Sequence, residues 1–318
     1  MNPTTPQPRI LIIRGGALGD FVLTLPAIGL VRAAFPGAFI ELLGYPHIAA
    51  LGLGGGYVDA VRSVNYGPVA GFFAKNGTLD PALVEYFAGF QQVISYLYDP
   101  HRIFEDNMRR AGVKHYLAAF RQVTDRHAAR EWASPLESLA LFLEEAAARL
   151  ELSPAARQEA REWLGGQGPV RLALHPGSGS ESKNWPVAGW VEVGRRFLRQ
   201  FPDGELVVVA GEADERVLGP LTAGLGAGKI RVAHGLPLLL LAGVLAECRF
   251  FAGHDTGVAH VAAAVGAQCV LLFGPTNPAL WAPQNPGVRV LRAPESDWSR
   301  LTPGTVWRQV EALVGGDM

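Results

Sequence analysis

The stretch "FFAGHDTGVAHVAAAVGAQCVLLFG", residues 250–274, sets two apolar runs on either side of a segment of small residues. "FFAG" and "QCVLLFG" are short, apolar throughout and bounded by glycine, the pattern of fully buried strands. Between them, "DTGVAHVAAAVG" opens on Asp255 and Thr256 and closes on Gly266, the start and stop signals of a helix. Strand, helix, strand in that order implies parallel strands joined by a crossover. The polar start of so bland a helix has two readings. Asp255 or Thr256 caps it, accepting from the free N–H groups of its first turn. Alternatively the turn is a ligand site, with Thr256 and His260 stacked on one face by their i, i+4 spacing. The turn alone favours the cap, since every helix needs one.

The same alternation runs outward through the chain. "RILIIRG" reads as a buried strand and "FVLTLPAIGLVRAAFPG" as the helix after it, stopping at Pro36-Gly37. "FIELLG", "VDAVRSV", "QQVISYLYD" and "KHYLAAF" read as further strands. "RIFEDNMRRAG" is a helix closed by Gly112, and "SPLESLALFLEEAAARLEL", residues 134–152, runs helically after a Ser-Pro start. Past the Gly/Pro-rich "GGQGP" at 165–169 a second series begins. "VRLALHPG", "ELVVVAG" and "IRVAHG" are strands; "PVAGWVEVGRRFLRQF", "ADERVLGPLTAGL" and "PLLLLAGVLAECR" are helices. Each half is therefore expected to be a parallel α/β layer structure, with the boundary at 165/166 giving domains 1–165 and 166–318.

The 318 residues are 49% hydrophobic, with 38 Gly and 23 Pro, enough for a large core joined by tight turns. A net charge of −1 argues against bulk attraction to nucleic acid or to an anionic membrane. Two cysteines, Cys248 and Cys269, sit in apolar surroundings and read as buried free thiols. No CxxC, HExxH or Cys/His cluster occurs, so no metal site is expected. The polar N-terminal tail lacks the order of a signal peptide. The longest lipophilic run, "LPLLLLAGVLA" at 236–246, is too short to span a bilayer and ends at Glu247. The expectation is a cytoplasmic protein with no transmembrane segment.

Ligands of such sheets bind outside the carboxyl ends of the strands. Three polar turns occupy that position: "RGGALGD" at 14–20, "HPGSGSESKNWP" at 175–186 and "GHDTGVAH" at 253–260. "RGGALGD" does not fit GxGxxG, and no acidic residue ends the second strand where a ribose would need one, which argues against a nicotinamide cofactor. "GLGAGKI" at 224–230 fails as a P-loop, lacking its first Gly and the Ser/Thr after Lys229. "HPGSGS" fails as a nucleophile elbow. No Asp-x-Asp pair is present to grip a nucleotide-bound divalent ion. What remains suits a diphosphate without metal: a helix N-terminus at "DTG", Gly257 for close backbone approach, and Lys183 as a compact positive charge. A solvated loop lysine and a surface-anchoring Trp185 are the plainer alternatives.

Three blocks carry a resemblance to a known family: "ILIIRGGALGDFVLTLPAIGLVRAAFPGAFIELL", "LHPGSGSESKNWPVAGWVEV" and "DTGVAHVAAAVGAQCVLLFGPTNPALWAP". Together they resemble glycosyltransferase family 9, the ADP-heptose:lipopolysaccharide heptosyltransferases, and they come in the family's order. The resemblance implies an α/β GT-B fold, two Rossmann-like domains facing each other across a cleft. The acceptor would lie on the N-terminal domain and the nucleotide sugar on the C-terminal one, with the last helix packing back on the first. It implies an inverting transfer without metal or other cofactor. By motif, Asp20 matches the catalytic base, Lys183 the donor-phosphate lysine, and Asp255, Thr256, Gly257 and His260 the donor-binding turn. Glu212, at the end of a strand in the second half, is a candidate for the ribose hydroxyls. The implied partners are a nucleotide-sugar donor, ADP-heptose, and a glycan or glycolipid acceptor, which adds peripheral contact with the cytoplasmic face of the inner membrane.

The acceptor is read from charge alone. Lipopolysaccharide acceptors carry carboxylates and phosphates, and residues 101–130 hold Arg102, Arg109, Arg110, Lys114, Arg121, Arg126 and Arg130 against Glu105, Asp106 and Asp125. Arg109, Arg110 and Lys114 are the acceptor candidates, against the plainer reading of a solvated face. Two rivals stay open: a nucleotide-sugar epimerase of similar fold, and a non-catalytic nucleotide-sugar-binding protein.

Overall fold

The computed structural model describes residues 7–226 and 228–315; the polar tail read at the N-terminus lies almost wholly outside them. The chain divides into two compact units, residues 1–146 and 147–318. In the first, β1 (Arg9–Arg14), β2 (Phe39–Gly44), β3 (Ala60–Ser63), β4 (Gln92–Ser95) and β5 (Tyr116–Ala118) form one sheet in the order β3-β2-β1-β4-β5. Every pairing is parallel. Both faces of such a sheet are covered, so β1 is apolar without alternation: Leu11, Ile12 and Ile13 have no exposed surface. The helix Leu18–Ala34 buries Phe21, Val22, Leu25, Ile28 and Val31. Leu11, Ile13 and Leu43 pack into a core with Phe72, Phe87, Phe104 and Met108.

The second unit holds β6 (Arg171–His175), β7 (Glu205–Ala210), β8 (Ile230–His234), β9 (Phe250–His254), β10 (Gln268–Phe273) and β11 (Val288–Arg292). They too are all parallel, in the order β11-β10-β9-β6-β7-β8. Successive strands run outward from β6 to one edge and then from β9 to the other. The chain direction across the sheet therefore switches between β6 and β9, and a crevice opens at their carboxyl ends. Leu172, Leu174, Trp190, Phe197, Val208, Phe250 and Leu272 form its core.

Two expectations need correction. Residues 134–152 are not one helix: a 3-10 turn, Ser134–Leu139, ends at Ala140 in a left-handed conformation, φ 58°. The chain beyond forms neither helix nor strand, and its end bonds within the second unit, with Leu150 N donating to Ala264 O at 2.8 Å and Asn285 Nδ2 to Ala148 O at 2.9 Å. Those bonds use backbone groups that a helix would have kept for itself. The units also divide at 146/147 and not at 165/166, because an unpredicted helix, Pro154–Trp163, packs on the helix Leu238–Ala246. Gly243 permits that contact; a Cβ there would lie 2.8 Å from the Cβ of Ala160. The last helix, Pro303–Gly315, lies on the helix Val187–Gln200 and on β9 and β10. It buries Val306, Trp307 and Val310 in the second core.

Candidate functional site

The crevice of the second unit is built from its two flanking strands. His254 ends β9 fully buried, and its Nε2 accepts from Trp185 N at 2.7 Å. Trp185 Nε1 donates to Leu301 O at 2.9 Å, and its ring meets Trp190 edge-on with centroids 5.1 Å apart. The loop after β6 is thus fastened to the end of β9, and a surface anchor is not the role of this tryptophan. Within the loop the Ser178 hydroxyl lies 2.7 Å from Asn184 Oδ1 and from Ser180 O. This pinning puts Lys183, in the 3-10 turn Glu181–Lys183, beside the turn that follows β9.

Lys183 Nζ lies 3.0 Å from Asp255 Oδ2, which also accepts from Thr276 Oγ1 at 2.7 Å; His260 Nε2 lies 3.8 Å from Asp255 Oδ1. Burial pushes the Asp255 carboxyl up, but His260, Thr276 and Lys183 together outweigh it and hold it down at about 2. Asp255 is therefore an anion already matched by a cation. Thr256 is the cap: its side chain accepts from Ala259 N at 3.4 Å, at the head of the helix Gly257–Ala264. The cap reading is met by Thr256 alone, and Asp255 is left to pair with Lys183. Lys183, Asp255, Thr256, Gly257 and His260 come together; His260 Nδ1 is buried without a hydrogen-bond partner among the described residues. A helix N-terminus beside a lysine is electropositive, and a diphosphate suits it.

Glu212 does not join this cluster. It stands exposed in the turn Glu212–Asp214 after β7. The buried carboxylate of that turn is Asp214, whose Oδ2 accepts from Gly211 N at 2.8 Å and lies 4.0 Å from His175 Nδ1. Gly177 presses on it so closely that a Cβ there would fall 1.8 Å from Asp214 Oδ1. Burial lowers the affinity of both crevice histidines for a proton: His175 is pushed down against the pull of Asp214, and His254 to about 3. Asp214 and Thr276 were invisible to spacing rules, because each reaches the site from a different strand end.

In the first unit Asp20 is half-buried in the first turn of the helix Leu18–Ala34, whose cap position, Ala17, offers no side chain to its N–H groups. Asp20 therefore does not cap this helix. Arg14, at the end of β1, is buried beneath it. Its Nε donates to Thr24 Oγ1 at 3.0 Å, which donates in turn to Asp20 O at 2.7 Å, and its guanidinium lies 4.5 Å from the Trp132 ring centroid. Burial works against the Arg14 charge and Asp20 supports it, while Nη2 has no partner among the described residues. Gly16, at φ +96°, lets the turn close; a Cβ there would lie 3.3 Å from Asp20 Oδ2 and 3.7 Å from Arg14 Nη1. Arg14 is the main residue the sequence reading passed over. The basic acceptor candidates are scattered by comparison. Arg109 is paired with Glu105 at 2.8 Å, Arg110 bonds to Asn107 and Gly77, and Lys114 is exposed.

Two parallel sheets, each with a crevice at its strand switch and with anion-suited turns in the second, define an α/β protein of the GT-B class. The profile of glycosyltransferase family 9 (heptosyltransferase) matches residues 75–303. The chain belongs to that family. The match begins after Asp20, so the first-strand turn rests on its own motif. Lipopolysaccharide heptosyltransferase 1 of Pseudomonas aeruginosa is 38% identical over 113 residues, 35% of this chain and 30% of that protein. The curated relatives are thus matched over less than half their own length. A glycosyltransferase of family 9 from Veillonella parvula superposes with TM-score 0.80 at 20% identity, covering 98% of this chain and 99% of the other. The Escherichia coli ADP-heptose lps heptosyltransferase II superposes with TM-score 0.77 at 17% identity, covering 96% and 98%. No helix among the described residues is long and apolar enough to cross a membrane.

Proposed function

We propose that this chain is an inverting glycosyltransferase that moves heptose from ADP-heptose to a lipopolysaccharide-core or related glycan acceptor without a metal ion. The observation that carries the reading is the Lys183–Asp255–Thr256 cluster at the head of the helix Gly257–Ala264, beside the strand switch of the second sheet. Departure of a nucleoside diphosphate leaves negative charge on its terminal phosphate. Lys183 and the N–H groups at Thr256 and Gly257 meet that charge as it builds. Asp255 holds Lys183 in place when no donor is bound, and on binding the lysine turns to phosphate while Asp255 keeps Thr276 and takes sugar hydroxyls. His260 donates to a phosphate oxygen.

Asp20 is the base. It removes the proton from the acceptor hydroxyl as that oxygen attacks the anomeric carbon on the face opposite the leaving diphosphate. Inversion follows from the single displacement. The family and the Escherichia coli neighbour, an ADP-heptose lps heptosyltransferase, support the donor and the acceptor class. Incubation with ADP-heptose and a deacylated lipopolysaccharide core oligosaccharide tests the reading. Heptose transfer with ADP release is expected. Conversion of the donor with no acceptor present would mark an epimerase, and tight donor binding without turnover a binding protein; either overturns it.

A further inference from the structure

A second cavity lies in the first unit, at the carboxyl ends of β4 and β5, and no residue so far assigned accounts for it. Its volume is ≈ 440 Å³, and its walls include Ser95, Leu97, Tyr98, Arg102, Tyr116 and Phe120. That is the small end of ligand pockets, about 300–1,000 Å³, and fits one or two sugar rings. β4 adjoins β1 in the sheet, and the chain leaves β1 and β4 toward opposite edges, so the cavity borders the strand switch of this unit. Leu97 ties it to the first-strand turn: a Cβ on Gly15 would lie 3.8 Å from Leu97 Cδ2. Asp20 belongs to that same turn and helix start.

The polar groups sort into occupied and open. Asp99 accepts from Ile103 N at 2.9 Å and Glu105 N at 3.0 Å, fixing the start of the helix Ile103–Arg110. Glu105 holds Arg102 at 3.2 Å and Arg109 at 2.8 Å. The acidic groups on this wall are thus consumed by the fold. Tyr98 is open: it is 73% exposed, the most exposed large apolar side chain among the described residues, and its hydroxyl takes no hydrogen bond from them. Its ring is nevertheless fixed, edge to face against Phe120 with centroids 5.2 Å apart at 63°. An aromatic ring fixed by a neighbouring ring and largely exposed presents a platform to the C–H face of a pyranose. Its hydroxyl can meet a ring substituent.

We propose that the Tyr98–Phe120 cavity is the acceptor-sugar subsite, with Tyr98 stacking on the ring that carries the reacting hydroxyl. The assignment rests on the transferase reading above, and replaces Arg109, Arg110 and Lys114 as the primary acceptor contacts. It sets acceptor specificity by ring face and not by net charge.

The test compares wild type with Tyr98→Ala, Tyr98→Phe and Phe120→Ala, using deacylated lipopolysaccharide core oligosaccharide as probe. Saturation-transfer NMR reads sugar binding, steady-state kinetics reads transfer, and ADP titration reads the donor site. Tyr98→Ala is expected to raise the acceptor KM roughly tenfold and abolish saturation transfer to the terminal ring, with ADP affinity unchanged. Phe120→Ala should follow it in part, and Tyr98→Phe should stay near wild type because the ring is kept. Unchanged acceptor KM and saturation transfer in Tyr98→Ala overturn the proposal, as does a lack of oligosaccharide binding by wild type. A concentration-dependent dimer lost in Tyr98→Ala would show a second copy as the occupant and overturn it too. Binding through Tyr98 without any sugar transfer would leave the subsite standing and remove the transferase reading, so the two can fail separately.

Discussion

Ala17 and not Asp20 holds the cap position of its helix, so Asp20 acts on stability only through the buried Arg14 charge it supports. Asp20→Asn should leave ADP binding near wild type, lower the melting temperature for the lost support of Arg14, and cut sugar transfer by a factor of about 10²–10⁴. Transfer at the wild-type rate would remove Asp20 as the base. The buried histidines give a second, independent expectation. His254 is neutral in the fold down to about pH 3, and His175 is shifted the same way. In the unfolded chain both take a proton near pH 6.5. The unfolded state therefore binds more protons below that pH, so stability present above about 6.5 is lost as the pH falls toward 3. Each histidine contributes a slope of up to about 1.4 kcal/mol per pH unit. Asp255, held at about 2, adds a loss of the same sign only below the ordinary carboxylate range near 4. Urea unfolding from pH 7 to 4 checks this, and a flat profile would contradict the burial of His175 and His254. Asp255, Thr256 and His260 were legible in the sequence because a short turn and one helical repeat set their spacing, whereas Lys183, 72 positions away from Asp255, was marked only by its own motif. Arg14 was not: its meaning comes from Trp132, more than a hundred positions away, lying 4.5 Å from its guanidinium.

Turns and caps carry the next level of organisation. Gly177 and Gly179 sit two residues apart in the loop after β6, yet only Gly177 meets Asp214, at 1.8 Å from a built Cβ; Gly179 has open space. Gly177→Ala should displace the loop from the end of β9, lowering the melting temperature and weakening ADP binding together, since Lys183 depends on that loop. Gly179→Ala should change neither, and calorimetry on both variants distinguishes a packed turn from a merely glycine-rich one. Thr256→Ala should cost about 0.5–1 kcal/mol of stability for the lost cap, at the low end because the bond to Ala259 N is 3.4 Å long. The strands are legible in the sequence, and the conformation of residues 134–152 is not. Apolar and helix-favouring residues there satisfy local propensity, but Leu150 N and Ala148 O are bonded to Ala264 and Asn285 of the second unit. Local preference of a few tenths of a kcal/mol per residue yields to such tertiary bonds.

The two units should respond separately to substitution. Lys183→Ala should weaken ADP and donor binding, because a charge-assisted phosphate contact is lost, and leave the acceptor constant alone. Transfer should also survive EDTA, since Lys183 and the helix N-terminus are proposed to meet the diphosphate charge; loss of activity with rescue by Mg²⁺ would refute the role given to them. Period and punctuation were enough to establish alternating strands and helices in two halves, because buried parallel strands must be apolar throughout and must be separated by crossovers. The same local rules marked the three strand-end turns and the polar start of the Gly257–Ala264 helix. Where the units divide, which core the last helix joins, which carboxylate of "GEADE" is buried, and that Tyr98 and Phe120 form one cavity wall all came from the fold. Each depends on contacts between residues far apart in the chain, and a reading by spacing reaches only as far as one turn of helix or one strand.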